Sequence, residues 1–269
     1  MRPFLNYLLS LISPLIFLIS TVLIFVVPKN YYSDLEYYQN EKIKLIDNNS
    51  TIFFGDSSCG NGVDAKLFGE NTYNLSLTGS YITCGSLVQL NKLIDRKKTP
   101  KEIILMYTID GYNRSLIPGY KLDNKSFKDD FYIKINSFKN LVKRVVFKIK
   151  EPRLVIDFEY DYIKQREIPV NYQPNKIDIN LSSDNKKCII DISNLCKKYN
   201  IDYTFMIGPN INLIDKSSLF KFKKFFETNQ IKLNTEYYRI PNTEIGDSND
   251  HISPVFKSNS TQFYKVLIK

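Results

Sequence analysis

Apolar runs of strand length, each followed by a helical pattern, recur along this chain. Residues 102–110 (EIILMYTID) form a continuous run, typical of a strand that is buried on both faces of a parallel sheet. Residues 50–54 (STIFF) are a shorter buried candidate, and residues 72–79 (TYNLSLTG) alternate between apolar and polar. Because strands that alternate with helices imply right-handed βα units, we predict a parallel sheet with helices on both faces.

The second half of the chain repeats this alternation. Helical spacing is found in residues 185–202, 219–230 and 258–269. Strand-like runs lie between these helices, at residues 203–210 (YTFMIGPN) and 236–241 (EYYRIP). The predicted fold class is therefore α/β: three α/β/α layers with a parallel, flavodoxin-like sheet of about five strands. Residues 50–269 form this domain, with an irregular insertion at about 113–181.

An uncharged apolar segment, residues 4–27, precedes the domain. As a helix it would span roughly 36 Å, which is enough for a hydrocarbon core of roughly 30 Å. A cleaved signal peptide is the rival interpretation, but the small-residue cleavage site that it requires is missing. We predict one N-terminal transmembrane helix over residues 1–28 and a polar connector over residues 29–49. The flanking charges do not decide its orientation.

The net charge of +9 does not predict a nucleic-acid partner. The basic residues are spread along the chain, and no nucleic-acid-binding motif or zinc spacing is present. The four cysteines also lack the C-x-x-C pairing of metal sites, so no metal is predicted. Cys188 and Cys196 share one face of a helix, which predicts two buried thiols. For Cys59 and Cys84 the alternatives are buried thiols or a disulfide between them.

The strand STIFF ends in a Gly-Asp-Ser-Ser turn, residues 55–58. One interpretation is a helix N-cap, in which a side-chain oxygen accepts a backbone N–H. The other is that Ser57 is a nucleophile. The only histidine, His251, follows the last predicted strand, and this position brings it to the same sheet edge as the turn. If imidazole activates a serine in this chain, His251 must be the base.

Three short motifs together resemble the SGNH (GDSL-type) hydrolases and acyltransferases. They are FFGDSS after the first strand, NLSLTGS after the second, and the Asp/His cluster before the last helix. The resemblance covers residues 50–267 and is strongest to membrane-anchored bacterial members that modify cell-envelope glycans. It implies that Ser57 is the nucleophile, that His251 is the base, and that the backbone N–H groups of Ser57 and Gly79 form an oxyanion hole. It implies a bracing role for Asp56.

The chain departs from the family pattern at two positions. The family usually has Asp-x-x-His, but Ser248 occupies the aspartate position here, with Asp247 one residue before it and Asp250 next to the histidine. We favour Asp247 as the carboxylate that orients His251, because a side chain adjacent to the histidine tends to point away from it. The third oxyanion donor of the family is an asparagine, for which Asn113 in IDGYNR is the candidate.

The resemblance implies a membrane-anchored serine esterase or O-acyltransferase that acts on acyl esters of envelope or extracellular glycans through an acyl-serine. It implies no metal or organic cofactor, a membrane location, and a domain on the periplasmic or cell-surface side. One alternative is a catalytically silent module that binds a glycan or envelope partner. Another is a cytoplasm-facing membrane protein that binds anionic ligands through its basic residues.

Overall fold

A computed structural model describes residues 42–77, 79–116 and 172–268, with a few isolated residues nearer the N terminus. Within these residues, no helix has both the length and the apolar character needed to cross a membrane. Most of the apolar segment 4–27, of the connector at 29–49 and of the insertion at 113–181 lies outside them. The anchor, the connector and the insertion therefore stay predictions.

Five strands form one parallel sheet in the order β2-β1-β3-β5-β7. They are β1 (Thr51–Gly55), β2 (Thr72–Asn74), β3 (Glu102–Tyr107), β5 (Asp202–Ile207) and β7 (Leu233–Asn234). A separate parallel pair joins β4 (Lys176–Ile177) to β6 (Leu213–Ile214). Counted along the chain, the large sheet has the order 2-1-3-4-5, which is the flavodoxin order. The predicted α/β fold with a five-stranded parallel sheet is confirmed.

The helices of the described residues alternate with these strands. They are α1 (Ser57–Gly62), α2 (Ile82–Asp95), α3 (Ile109–Asn113), α4 (Ser183–Tyr199), α5 (Lys216–Thr228) and α6 (Lys257–Ile268). Local caps explain several of their ends. Ser182 and Asp215 accept backbone N–H groups at the starts of α4 and α5, and Asn200 ends α4 in the left-handed conformation with a φ of 52°.

The central strands β1, β3 and β5 are buried on both faces along most of their length, which explains why they are apolar runs. Along β1, Ile52 and Phe54 belong to one core, and Phe53 belongs to the other. The first core contains residues of α2, α4 and α5: Leu90, Leu93, Ile189, Ile192, Phe222 and Phe226. The second contains residues next to or within α1 and α6: Cys59, Val63 and Tyr264. Helices therefore cover the sheet on both faces.

The prediction of a strand at residues 236–241 (EYYRIP) is wrong. Within it only Arg239 forms a bridge, to Asn210, and the last strand of the sheet is β7, immediately upstream. The backbone explains the difference, because the N–H of Tyr238 donates to the hydroxyl of Tyr264 on α6 at 3.1 Å. The segment pairs instead with Asn210, beyond the end of β5: the N–H of Asn210 donates to the carbonyl of Tyr238, and the N–H of Ile240 donates to the carbonyl of Asn210, both at 3.1 Å.

The carboxyl ends of four strands meet around the turn at residues 55–58. A Cβ on Gly111, after β3, would lie 2.6 Å from Oδ2 of Asp56, and one on Gly208, after β5, would lie 2.7 Å from Oγ of Ser58. A Cβ on Gly79, after β2, would lie 4.0 Å from Cβ of Asp56. Ligands of open parallel sheets bind at this edge.

Candidate active site

The two serines of the turn after β1 differ in their contacts and in their exposure. Asp56 is the N-cap of α1, and its Oδ1 accepts hydrogen bonds from the backbone N of Ser58 at 3.1 Å and from Ser58 Oγ at 2.6 Å. Ser58 is fully buried, whereas Ser57 is partly exposed. The capping interpretation is thus confirmed for Asp56. It leaves the Ser57 hydroxyl available for other contacts.

Asp56 also joins this turn to the end of β3. Its Oδ2 accepts hydrogen bonds from the backbone N of Thr108 at 2.8 Å and from Thr108 Oγ1 at 2.9 Å. Burial raises the pKa of the Asp56 carboxyl, and the hydrogen bonds from Ser58 and Thr108 oppose that rise. All four contacts are internal to the fold. Asp56 therefore braces the turn, in agreement with the role expected of it.

His251 lies between Ser57 and Asp247. Its Nε2 is 2.9 Å from Ser57 Oγ, and its Nδ1 is 2.6 Å from Oδ1 of Asp247. The histidine side chain is 15% exposed and the aspartate side chain 47% exposed. An imidazole that is hydrogen-bonded on both nitrogens has a fixed ring orientation, with Nδ1–H donating to the carboxylate and Nε2 free to accept the serine proton. This arrangement can perform general-base chemistry.

Asp250, the other carboxylate beside His251 in sequence, has a different partner. Its Oδ1 accepts a hydrogen bond from the hydroxyl of Ser248 at 2.5 Å. Asp247 is therefore the carboxylate that contacts the imidazole of His251, and Asp250 contacts Ser248 instead.

Asn61 connects α1 to the loop that carries His251, and the sequence analysis did not identify it. Its side chain is only 2% exposed, and Oδ1 accepts the backbone N–H of Ile252 at 2.5 Å. Ile252 directly follows His251, and Asn61 lies one helical turn after Ser57. The i, i+4 spacing puts Ser57 and Asn61 on the same face of α1, and this was the available signal.

The two remaining oxyanion candidates differ in their placement. Gly79 lies beside Asp56, next to the turn at residues 55–58. Asn113 is engaged elsewhere: its Nδ2 donates to the carbonyl of Asp178 at 2.9 Å, and its Oδ1 accepts the N–H of Asn180 at 2.6 Å. These contacts tie α3 to the segment before α4, and they give no support to an oxyanion role for Asn113. The role of Gly79 stays a prediction.

The cysteine pairing differs from the one considered in the sequence analysis. Cys84 on α2 forms a disulfide with Cys188 on α4, with their Cα atoms 5.2 Å apart, whereas Cys59 and Cys196 are free and buried. The Cys59–Cys84 alternative is therefore wrong, and Cys188 is a bonded cysteine and not a buried thiol. Burial raises the pKa of Cys59 to about 12, so this thiol stays protonated and unreactive.

In the ranges that the structure describes, no three His, Cys, Asp or Glu side chains are grouped so that they could hold a metal ion. No protein-family model matches the chain, and a search among curated proteins finds no match. The SGNH resemblance therefore rests on the three motifs.

Proposed function

We propose that this protein is a membrane-anchored serine esterase or O-acyltransferase of the SGNH type, acting on acyl esters of cell-envelope or extracellular glycans. One observation carries the proposal: His251 bridges Ser57 Oγ and Asp247 through both ring nitrogens, at 2.9 and 2.6 Å. Direct proton transfer needs heavy-atom distances of roughly 2.6–3.2 Å, which the contact with Ser57 satisfies. The glycan substrate is inferred from the resemblance alone.

The reaction begins when Ser57 Oγ attacks the acyl carbonyl carbon while His251 Nε2 accepts its proton. The carbonyl electron pair moves onto oxygen, and backbone N–H groups, those of Ser57 and Gly79 in our proposal, stabilise this oxyanion. When the tetrahedral intermediate collapses, the bond to the leaving alcohol breaks, and the imidazolium protonates that oxygen. The acyl group is then bonded to Ser57.

In the second half of the reaction, His251 deprotonates either water or a glycan hydroxyl, and the resulting oxygen attacks the acyl-serine carbonyl. Collapse of this second intermediate returns the proton to Ser57 Oγ. Water releases a carboxylic acid, and a glycan hydroxyl gives a new ester. Asp247 stabilises the imidazolium in both halves without accepting its proton.

The disulfide supports an extracytoplasmic location for the domain. Cys84 and Cys188 are bonded, and disulfides persist in oxidising compartments but are rare in the cytosol. Together with the predicted anchor at residues 1–28, this favours a periplasmic or cell-surface enzyme. Protease added to intact cells and to spheroplasts, followed by immunoblotting of the domain, measures on which side of the membrane it lies.

A fluorophosphonate probe, which phosphonylates activated serines, tests the proposed activity on the full chain in detergent. We expect the wild-type protein to be labelled and Ser57→Ala to be unlabelled. We expect His251→Ala to label about 10²–10⁴-fold more slowly, because that is the usual contribution of a general base. Ser58→Ala is the matched control, since it removes the neighbouring hydroxyl and should leave the label on Ser57.

Two results would contradict the proposal. One is folded wild-type protein that resists labelling, which would favour the silent glycan-binding module instead. The other is labelling that survives in Ser57→Ala and disappears in Ser58→Ala. Circular dichroism on each variant shows that a loss of labelling is not a loss of fold.

A further inference from the structure

Arg114 lies beside the proposed acyl site. Its Nη1 is 3.4 Å from the position that a Cβ on Gly79 would take, and the same position is 4.0 Å from Cβ of Asp56, the residue before the nucleophile. The side chain is exposed. Within the part of the chain that the structure describes, its guanidinium takes part in no hydrogen bond or ion pair.

The backbone that carries Arg114 is held on both sides. Its N–H donates to the carbonyl of Asp110 at 3.0 Å, and its carbonyl accepts a hydrogen bond from Nδ2 of the buried Asn185 at 3.0 Å. Two residues later, the N–H of Leu116 donates to Oδ2 of Asp184 at 2.9 Å. These contacts attach the segment to the start of α4. The fold thus presents the guanidinium of Arg114 from a fixed main chain.

The charges around the proposed site are unevenly distributed. The loop that carries His251 also carries two carboxylates, Asp247 and Asp250. On the Gly79 side the atom nearest to the Cβ position is Nη1 of Arg114, while the carboxylate of Asp184 there accepts the N–H of Leu116 and Asp110 lies one helical turn before Arg114. An anionic ligand would be repelled by the carboxylates and attracted to the guanidinium. Guanidinium groups bind carboxylates and phosphates through paired, charge-assisted hydrogen bonds, which gives Arg114 a specific chemistry as a recognition group.

We propose that Arg114 is a specificity-determining residue that binds an anionic group of the substrate, a carboxylate or a phosphate. The substrates would then be acyl esters of acidic glycans, with the negative group held on the Gly79 side while the acyl carbon meets Ser57. This inference rests on the proposed function, because it assigns a substrate class to the same site.

Protection of Ser57 from a neutral fluorophosphonate tests the inference. The labelling rate of the full chain in detergent is measured against increasing glucuronate, glucose 6-phosphate or glucose, at constant ionic strength. We expect a charged sugar to slow labelling at concentrations at least about tenfold lower than glucose, as charge-assisted hydrogen bonds predict. The comparison of glucuronate with the phosphate sugar distinguishes the two anions. Arg114→Gln should abolish the preference, and Arg114→Lys should retain part of it.

Arg96→Gln is the matched control, since Arg96 lies at the far end of α2, about 20 Å along the helix from its start near Gly79. This variant loses the same charge and should keep the wild-type preference. Equal protection by all three sugars would overturn the inference, as would a preference for charged sugars that survives Arg114→Gln. In either case, labelling of the wild type would still support the proposed activity. Absence of labelling in the folded wild type would overturn both.

Discussion

Replacing Asn61 with alanine tests whether the contact between α1 and the loop that carries His251 positions this histidine against Ser57. The Asn61 side chain is 2% exposed and its Oδ1 lies 2.5 Å from the backbone N of Ile252, which is fully buried. The alanine variant leaves that N–H without an acceptor, at a cost of about 1–3 kcal/mol. For a domain of this size the melting temperature should fall by about 2–10 °C.

The effect on activity follows from the position of Ile252 directly after His251. If the loop relaxes to satisfy the orphaned N–H, the 2.9 Å contact between Nε2 and Ser57 Oγ lengthens. A displacement of about 1 Å in a reacting pair can cost about 100-fold in rate. We therefore expect the fluorophosphonate to label Ser57 about 10–100-fold more slowly in Asn61→Ala than in the wild type.

Asn61→Asp is the matched control, because a carboxylate oxygen can accept the same N–H in nearly the same shape. It should label faster than Asn61→Ala even if its buried charge makes it less stable. Rates are compared at a temperature where circular dichroism shows every variant folded. If folded Asn61→Ala labels at the wild-type rate, the contact contributes only to stability and the positioning argument is refuted.

Three further predictions concern the framework of the site. The unfolded, unreduced protein should contain two free thiols, and the reduced protein should contain four. The double variant Cys84→Ala/Cys188→Ala should have a free energy of unfolding in urea that is lower by about 4–5 kcal/mol, because the disulfide closes a loop with a sequence separation of 104 residues. Asp56→Asn should cost about 2–4 kcal/mol in the same assay, since an amide nitrogen would face hydrogen-bond donors; a melt unchanged from the wild type would contradict this. Burial raises the pKa of the Asp56 carboxyl, so the folded state keeps its proton to a higher pH than the unfolded state does. The stability that this proton contributes to the wild type is therefore lost as pH rises through the raised pKa. Asp56→Asn, which has no carboxyl there, should not show this loss. Gly111→Ala should lower the free energy of unfolding by about 1–3 kcal/mol, because its Cβ would lie 2.6 Å from the Asp56 carboxylate. An unchanged urea midpoint would show that the turn can shift without cost and would contradict this prediction.

Much of the fold was predictable because both faces of the sheet are buried. A strand covered on two sides must be apolar at successive positions, as in Ile103 to Met106, and that signal is visible in the sequence. The last strand was misplaced because β7 pairs over only two residues. A strand so short has no periodicity of its own, and the aromatic run after it was the stronger strand signal.

The proximity of Ser57, His251 and Asp247 was predictable from topology, since segments that follow parallel strands meet at one edge. The contacts of Asn113 were not, because its partners, Asp178 and Asn180, lie at the far end of the long insertion. The disulfide partner of Cys84 was not predictable either. A bond requires Cα atoms within about 7 Å, and only the packing of α2 against α4 brings these two cysteines to that distance.

The disulfide also has a topological consequence. Residues 84 to 188 form a covalent ring that contains β3 and the entire segment 117–171. A chain cut anywhere within that segment remains one molecule, because the bond still joins its halves, and only reduction would separate them. The disulfide therefore joins the two flanks of this segment by a covalent path that does not pass through it.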